Sequence, residues 1–266
     1  MSRNNPDSWD PAHYLKYAGQ RVRPALDLLA RIPLENAHTI TDLGCGSGNV
    51  VEHLSARFPG ARITGVDNSA EMLNQAKSNH GEAADWVQAD AAGWSPQEPQ
   101  DLIYSNAALH WLDRHKDVFP RLAGFVKSGG VLAVQMPNQF TAPSHALMHQ
   151  VAEHGPWAET LKPLLREAPV AEPGRYYNWL APLCDSVDIW QTAYMHVMEG
   201  DDPVLDWISS TALAPLRDAL APEQRGPFRD AVGAELRRAY PKRADGKTLF
   251  PFRRLFIVAV KKTMKG

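Results

Sequence analysis

The chain holds only two cysteines, Cys45 and Cys184, among 266 residues. That excludes a disulfide framework and a paired-cysteine zinc site, and no metal is expected. An excess of either charge is also lacking, since 28 basic and 30 acidic side chains leave a formal net charge of −2. Duplex nucleic acid as the main partner would demand a clustered basic face. The only basic spots, Arg253-Arg254 and Lys261-Lys262, are short enough to read as solvated surface. No run approaches the roughly 18 uninterrupted apolar residues of a membrane span, and Met1 to Asp10 has no apolar signal core. Glycine and proline, at 18 and 21 residues, are too few and too scattered for a collagen-like or low-complexity chain. What remains, 44% hydrophobic and 22% charged, is the make-up of a globule with a sizeable core. The expectation is a cytoplasmic protein with no nucleic-acid or membrane partner. The sequence does not fix the oligomeric state and is compatible with a monomer.

Elements alternate along the chain. Gln20 to Arg31 has a helix-like apolar face, with Pro24 tolerable only near its start. Thr39 to Leu43 is short and β-branched, a glycine run follows at once, and Val50, Val51, Leu54 and Phe58 then recur at helical spacing until Pro59-Gly60. Further strands are expected at Ala61 to Val66, Trp86 to Ala89, Leu102 to Tyr104 and, after a turn at Gly129-Gly130, Val131 to Val134. Ser69 can cap the helix that carries Met72, Leu73 and Ala76. Val187 to Tyr194 and Arg254 to Val260 complete a set of strands that predicts an α/β fold: a doubly wound, mostly parallel seven-stranded sheet with a helical lid insertion. The expected organisation is a single domain over 1–266, with a helical lead-in at 1–38 and substrate-covering helical segments at 138–182 and 200–246.

A glycine-rich turn from a strand into a helix lets backbone approach a ligand and aims free N–H groups at it. Dinucleotide sites use Gly-x-Gly-x-x-Gly, whose third glycine allows close helix–strand packing. Here the run is Gly44-x-Gly46-x-Gly48-Asn49, and Asn49 stands at the third position, which favours a ligand without a pyrophosphate. Asp42 precedes the turn, Asp67 ends the second strand and Asp90 follows the third, all at the carboxyl edge where such sheets bind ligands. Asp67 can accept both ribose hydroxyl protons, Asp90 an adenine amine, and Asp42 can face an ammonium. Three acceptors with no basic residue in the loop suit a cationic nucleoside.

The run Asp42 to Asn49, followed by Gly65-Val66-Asp67-Asn68-Ser69 and Asp90, resembles the class I S-adenosylmethionine-dependent methyltransferases, with a Rossmann-like sheet. Tyr14 to Ala18, Gln20 to Pro24, Asn106 to Leu112, Leu132 to Pro137, Val187 to Trp190 and Arg254 to Ala259 fit a narrower family, the trans-aconitate 2-methyltransferases, nearly end to end. Ser47 departs from that family, which usually has proline there, and residues 154–175 match it poorly. The resemblance implies S-adenosyl-L-methionine as donor and S-adenosyl-L-homocysteine as product. Gly44 and Gly46 then back the methionine part, with Asp42 and Asn49 in the same loop. Asp67 holds the ribose, Asn68 and Met72 border the adenine, Asp90 and Ala91 finish its slot, and Asn106 lies beneath the methionine end.

The implied reaction is methyl transfer to a carboxylate of a small polycarboxylic acid, giving a monomethyl ester. An anionic nucleophile needs no general base, so no catalytic acid or base is expected; alignment and partial desolvation carry the step. The acid's other carboxylates call for Arg, His or Tyr contacts. Tyr14, Arg21, His110, Trp111, Arg175, Tyr176 and Tyr177 are the candidates, although packing within the lid is the simpler reading of the two adjacent tyrosines. Alternatives are another small carboxylic acid or a carrier-bound acyl carboxylate. A nicotinamide oxidoreductase and a binding protein without turnover also share this kind of pocket.

Overall fold

The computed structural model describes residues 18–165 and 168–263. Among them, seven strands form one sheet: β1 (Thr39–Leu43), β2 (Arg62–Asp67), β3 (Asp85–Gln88), β4 (Gln100–Asn106), β5 (Val126–Pro137), β6 (Cys184–Met198) and β7 (Thr248–Lys261). Their order is β3-β2-β1-β4-β5-β7-β6. Strands β1 to β5 pair in parallel, and β7 runs antiparallel to β5. All five positions of β1 are buried, as expected of a strand covered on both faces. The chain winds outward from β1 to β3 and then returns to β4. The connections after β1 and β4 therefore diverge, which opens the crevice where doubly wound sheets take their ligands.

Helices α1 (Ala18–Ala30), α2 (Val51–Arg57), α3 (Ala70–His80) and α4 (His115–Gly124) accompany these strands. Ser69 caps α3 by accepting the Met72 amide at 3.3 Å, the role its position suggested. Two local expectations need correction. Pro24 lies well inside α1 rather than near its start. Gly129-Gly130 is no turn between elements but an irregularity within β5, where the register with β4 jumps from Gln100↔Val126 to Leu102↔Val131. Gly129 has φ +76°, and a Cβ on Gly130 would sit 2.7 Å from the Asp101 carbonyl oxygen, so both places need glycine.

The described chain divides into two compact units. One comprises Gly19–Pro137, Pro169–Thr192 and the strand from Arg254 onward; it contains the crevice. The other comprises Asn138–Ala168 and Ala193–Arg253 and is mainly helical. Its core gathers Trp157, Leu205, Trp207, Phe228, Val232 and Phe250, with Trp157 edge-on to Phe228 at 5.1 Å. Several prolines open helices: Pro143 begins Pro143–His154, Pro203 begins Pro203–Ser209 and Pro222 begins Pro222–Ala239. A proline at the first helical position loses no bond, because that N–H has no partner within the helix. Residues 169–182, grouped by sequence with the insertion, belong to the sheet-bearing unit. Helix α7 (Pro173–Leu180) sits there, numbered after α5 (Pro143–His154) and α6 (Ala158–Leu161).

Candidate active site

The loop after β1 is built from left-handed glycines: Gly44, Gly46 and Gly48 have φ of +78°, +54° and +80°. A side chain at Gly44 would place its Cβ 2.1 Å from the Cβ of Ala108, so the loop touches the segment after β4. At Gly48 a Cβ would strike His80 and Trp86, each at 2.8 Å. Tight packing thus falls one residue before the third position of the dinucleotide pattern. Asn49 itself is exposed, and its Oδ1 accepts the Ser47 hydroxyl at 3.3 Å. The Gly46 amide donates to Asp67 Oδ2 at 2.9 Å, and the Ser69 amide donates to Asp67 Oδ1 at 2.9 Å. A carboxylate offers about four acceptor positions, so two remain for a pair of hydroxyls. Met72 borders the loop, its Cε 3.2 Å from where a Gly46 Cβ would lie. Asn68 is exposed beside Asp67, and its carbonyl accepts Gln88 Nε2 at 3.2 Å. Asp90 is exposed and folds its own turn, with Oδ1 accepting the Ala92 amide at 2.9 Å. The Ala91 carbonyl is tied to Arg121 at 2.9 Å.

Asp42 is 2% exposed and its Oδ2 has no hydrogen-bond partner. Burial, reinforced by the negative charge of Asp67, pushes its carboxyl up to about 7. Such a group fits a positively charged ligand, which would restore the ionised form. The register shows what shares its face. Asp42 pairs with Tyr104, and Tyr104 with Ala133; one step further toward the carboxyl edge, Asn106 pairs with Gln135. Across β7, Gln135 pairs with Phe256 and Pro137 with Arg254. Directly opposed residues, and residues two apart on a strand, point to one face. Asp42, Tyr104, Asn106, Gln135, Phe256 and Arg254 therefore lie on the face covered by α1, to which Tyr104 donates at Ala25 O over 2.8 Å. Asn106 Oδ1 has no partner, and neither does either polar atom of the Gln135 side chain. Sequence reasoning singled out neither Gln135 nor Arg254 as a site residue, and it read Arg254 as solvated surface, whereas it is 5% exposed. The available signal was one glutamine interrupting the apolar run Val131 to Met136.

Of the expected acid contacts, Tyr14 lies outside the described residues, as does the side chain of Arg21. His110 and Trp111 form a short turn after β4, their rings 4.7 Å apart, and Trp111 is 50% exposed. Arg175 and Tyr177 are exposed on α7. Tyr176 is different: it is wholly buried against Phe119, 4.6 Å away, and its hydroxyl lies 2.6 Å from His115 Nδ1. That hydroxyl also accepts the Ala171 amide at 3.1 Å, while His115 Nε2 reaches the Leu109 carbonyl at 2.9 Å. The hydroxyl is thus engaged in a buried network with the turn that carries His110 and Trp111. Cys45 is buried and burial pushes its thiol up, as for a packing residue. Among the described residues no His, Cys, Asp and Glu cluster could hold a metal, and no helix is long and apolar enough to cross a membrane.

Sheet order, glycine turn and strand-end acids define a class I Rossmann-like methyltransferase, and a methyltransferase domain family matches residues 40–130. The YcgJ protein of Bacillus subtilis superposes with a TM-score of 0.57 at 14% identity, covering 91% of this chain and 98% of that one. A Haemonchus contortus phosphoethanolamine N-methyltransferase holding S-adenosylhomocysteine gives a TM-score of 0.54 at 17% identity, over 91% of this chain and 53% of that one. At such identities the likeness speaks for the fold. Sequence relatives are much nearer. The trans-aconitate 2-methyltransferase of Azoarcus is 44% identical over 254 residues, 96% of this chain and 99% of its own length. That of Streptomyces coelicolor is 47% identical over 269 residues, 97% of this chain and 88% of its own length. The chain belongs to the trans-aconitate 2-methyltransferase family.

Proposed function

We propose that the protein transfers the methyl group of S-adenosylmethionine to one carboxylate of trans-aconitate, giving the monomethyl ester and S-adenosylhomocysteine. The observation that carries this reading is near full-length identity of 41–47% to relatives of that name. The bound donor supplies an electrophilic methyl on a cationic sulfur. Asp67 accepts the ribose hydroxyls with the lone pairs that Gly46 and Ser69 leave open. Asn68, Met72, Asp90 and Ala91 border the adenine. Gly44 and Gly46 give the methionine part a backbone floor, and the unpartnered Oδ atoms of Asp42 and Asn106 face its positive groups.

The acceptor arrives with its nucleophile already ionised. A carboxylate oxygen lone pair forms the new C–O bond as the C–S bond breaks and its electron pair stays on sulfur, so no proton moves. The chain has only to align the oxygen and strip part of its water. Tyr14, Arg21, His110, Trp111, Arg175 and Tyr177 are proposed around the acid, with Tyr176 as a positioning residue. The helical segments 138–182 and 200–246 are proposed to carry acceptor specificity within a single enzyme of the cytoplasm.

Incubation with labelled S-adenosylmethionine and a panel of acids, followed by mass spectrometry, tests the reading. Ester formation on trans-aconitate ahead of mono- and dicarboxylates supports it. Transfer confined to another acid, or to an acyl chain on a carrier protein, replaces the substrate.

A further inference from the structure

Gln135 is fully buried, at 0% exposure, yet its Nε2 and its Oε1 both lack partners. A buried amide left unbonded at both ends costs free energy twice over, so a glutamine kept for packing would be bonded or replaced by an apolar side chain. Its position explains the retention. The donor occupies the loop after β1 and reaches Asn106 on β4; Gln135 stands beside Asn106 on the next strand, about 4.8 Å further from the donor. One strand beyond and one step outward on the same face comes Arg254, 5% exposed. Between them Phe256 gives an apolar wall, stacked on Trp190 with centroids 4.7 Å apart and planes 6° from parallel.

We propose that Gln135 and Arg254 form a clamp for a carboxylate of the acceptor that is not methylated, so that they select polycarboxylates over monocarboxylates. The inference deepens the proposed function and rests on it. Gln135 Nε2 donates to one carboxylate oxygen, and the Arg254 guanidinium supplies the opposite charge and further donors; both suit a planar anion. Gln135 Oε1 is left to accept from Asn106 or from water entering with the acid. The reacting carboxylate lies nearer Asn106, toward the donor. A rigid acid carrying carboxylates on neighbouring carbons spans that offset, and a monocarboxylate cannot.

The test uses the full chain with Gln135→Met, close to glutamine in volume, and Arg254→Lys, which keeps the charge but loses the fork. Both are assayed with saturating S-adenosylmethionine against trans-aconitate and crotonate, alongside S-adenosylhomocysteine affinity and thermal melting. Each substitution is expected to raise KM for trans-aconitate roughly tenfold to a hundredfold, the worth of a hydrogen bond to a charged group. The preference for trans-aconitate over crotonate narrows by the same factor, with S-adenosylhomocysteine affinity held. Gln135→Met should melt no lower than the wild type, because it removes an unsatisfied amide; a merely structural glutamine would give a lower melting temperature. Unchanged KM in both variants overturns the clamp, and so does a parallel loss of S-adenosylhomocysteine affinity. If the wild type methylates no acid, the functional reading fails, and calorimetry on the S-adenosylhomocysteine complex then decides about the clamp. Tricarboxylate binding by wild type but not by Gln135→Met upholds it, and no binding by wild type removes it.

Discussion

The amide of Gly46 donates to Asp67 Oδ2 at 2.9 Å, tying the glycine loop after β1 to the acid that ends β2. The bond joins two parts of the proposed donor pocket. It fixes a loop whose left-handed φ angles only glycine tolerates well, and it orients the carboxylate without exhausting its lone pairs. The same turn stands against Ala108 after β4, so three strand ends are set by two contacts.

Substituting Gly44 by alanine should therefore damage both fold and site. The new Cβ would meet Ala108 Cβ at 2.1 Å, in a backbone with φ +78°. Overpacking and strain each cost about 1–3 kcal/mol, so the melting temperature should fall and cofactor affinity with it. Adding Ala108→Gly removes the clash but not the strain. Differential scanning fluorimetry should show partial recovery in the double variant.

With Asp42 in the proposed donor pocket, cofactor binding is expected to depend on pH. Its carboxyl, pushed up to about 7 by burial and by Asp67, holds a proton in much of the free protein at neutral pH. A ligand bearing an ammonium favours the ionised form, so binding releases that proton. The affinity for S-adenosylhomocysteine should fall by up to about tenfold between pH 8 and pH 6. Titration calorimetry in buffers of differing ionisation enthalpy should register the proton. Asp42→Asn should abolish the dependence.

Asp101 shifts the other way, at the opposite end of the sheet. Burial alone would raise it, but bonds from Lys127, His38 and Thr39 prevail and hold it at about 2. A depressed carboxyl adds stability above its unfolded value near 3.8, and that stability is lost as pH falls through about 2. Asp101→Asn should cost on the order of 1–2 kcal/mol at pH 7, after allowing for solvent screening, and the gap should narrow below about pH 4 and close near pH 2. Urea denaturation at stepped pH measures it. S-adenosylhomocysteine affinity at pH 7 should not change.

Removing the Tyr176 hydroxyl takes a hydrogen-bond partner from the buried His115 Nδ1 and from the half-buried Ala171 amide. Tyr176→Phe should lose about 1–3 kcal/mol of stability. Because this network holds the His110-Trp111 turn and not the donor loop, S-adenosylhomocysteine affinity should remain within a factor of about two while the melting temperature drops.

Much of this was legible in the chain because sheet, turn and cap follow local rules. β1 was bounded to the residue by its β-branched run and the glycines behind it, and Ser69 advertised its cap. Less legible was anything set by contacts distant in sequence. Arg254 reads as surface beside Arg253 until the pairing of β7 with β5 buries it. For Tyr176 the sequence offers packing or an acid contact, but not the partner of its hydroxyl, His115, 61 residues away along the chain. Gly129-Gly130 reads as a turn because a bulge uses the same residue type. In each case the composition of the segment was clear, and its neighbour was not.

Calorimetric titration of S-adenosylhomocysteine into the wild type and Asp67→Asn puts the donor pocket to its most direct trial. One-to-one binding by the wild type, weakened at least about a hundredfold by the substitution as two hydrogen bonds to a charged acceptor are compromised, is the predicted result. Equal affinity in the two proteins, or no binding by the wild type, would contradict it.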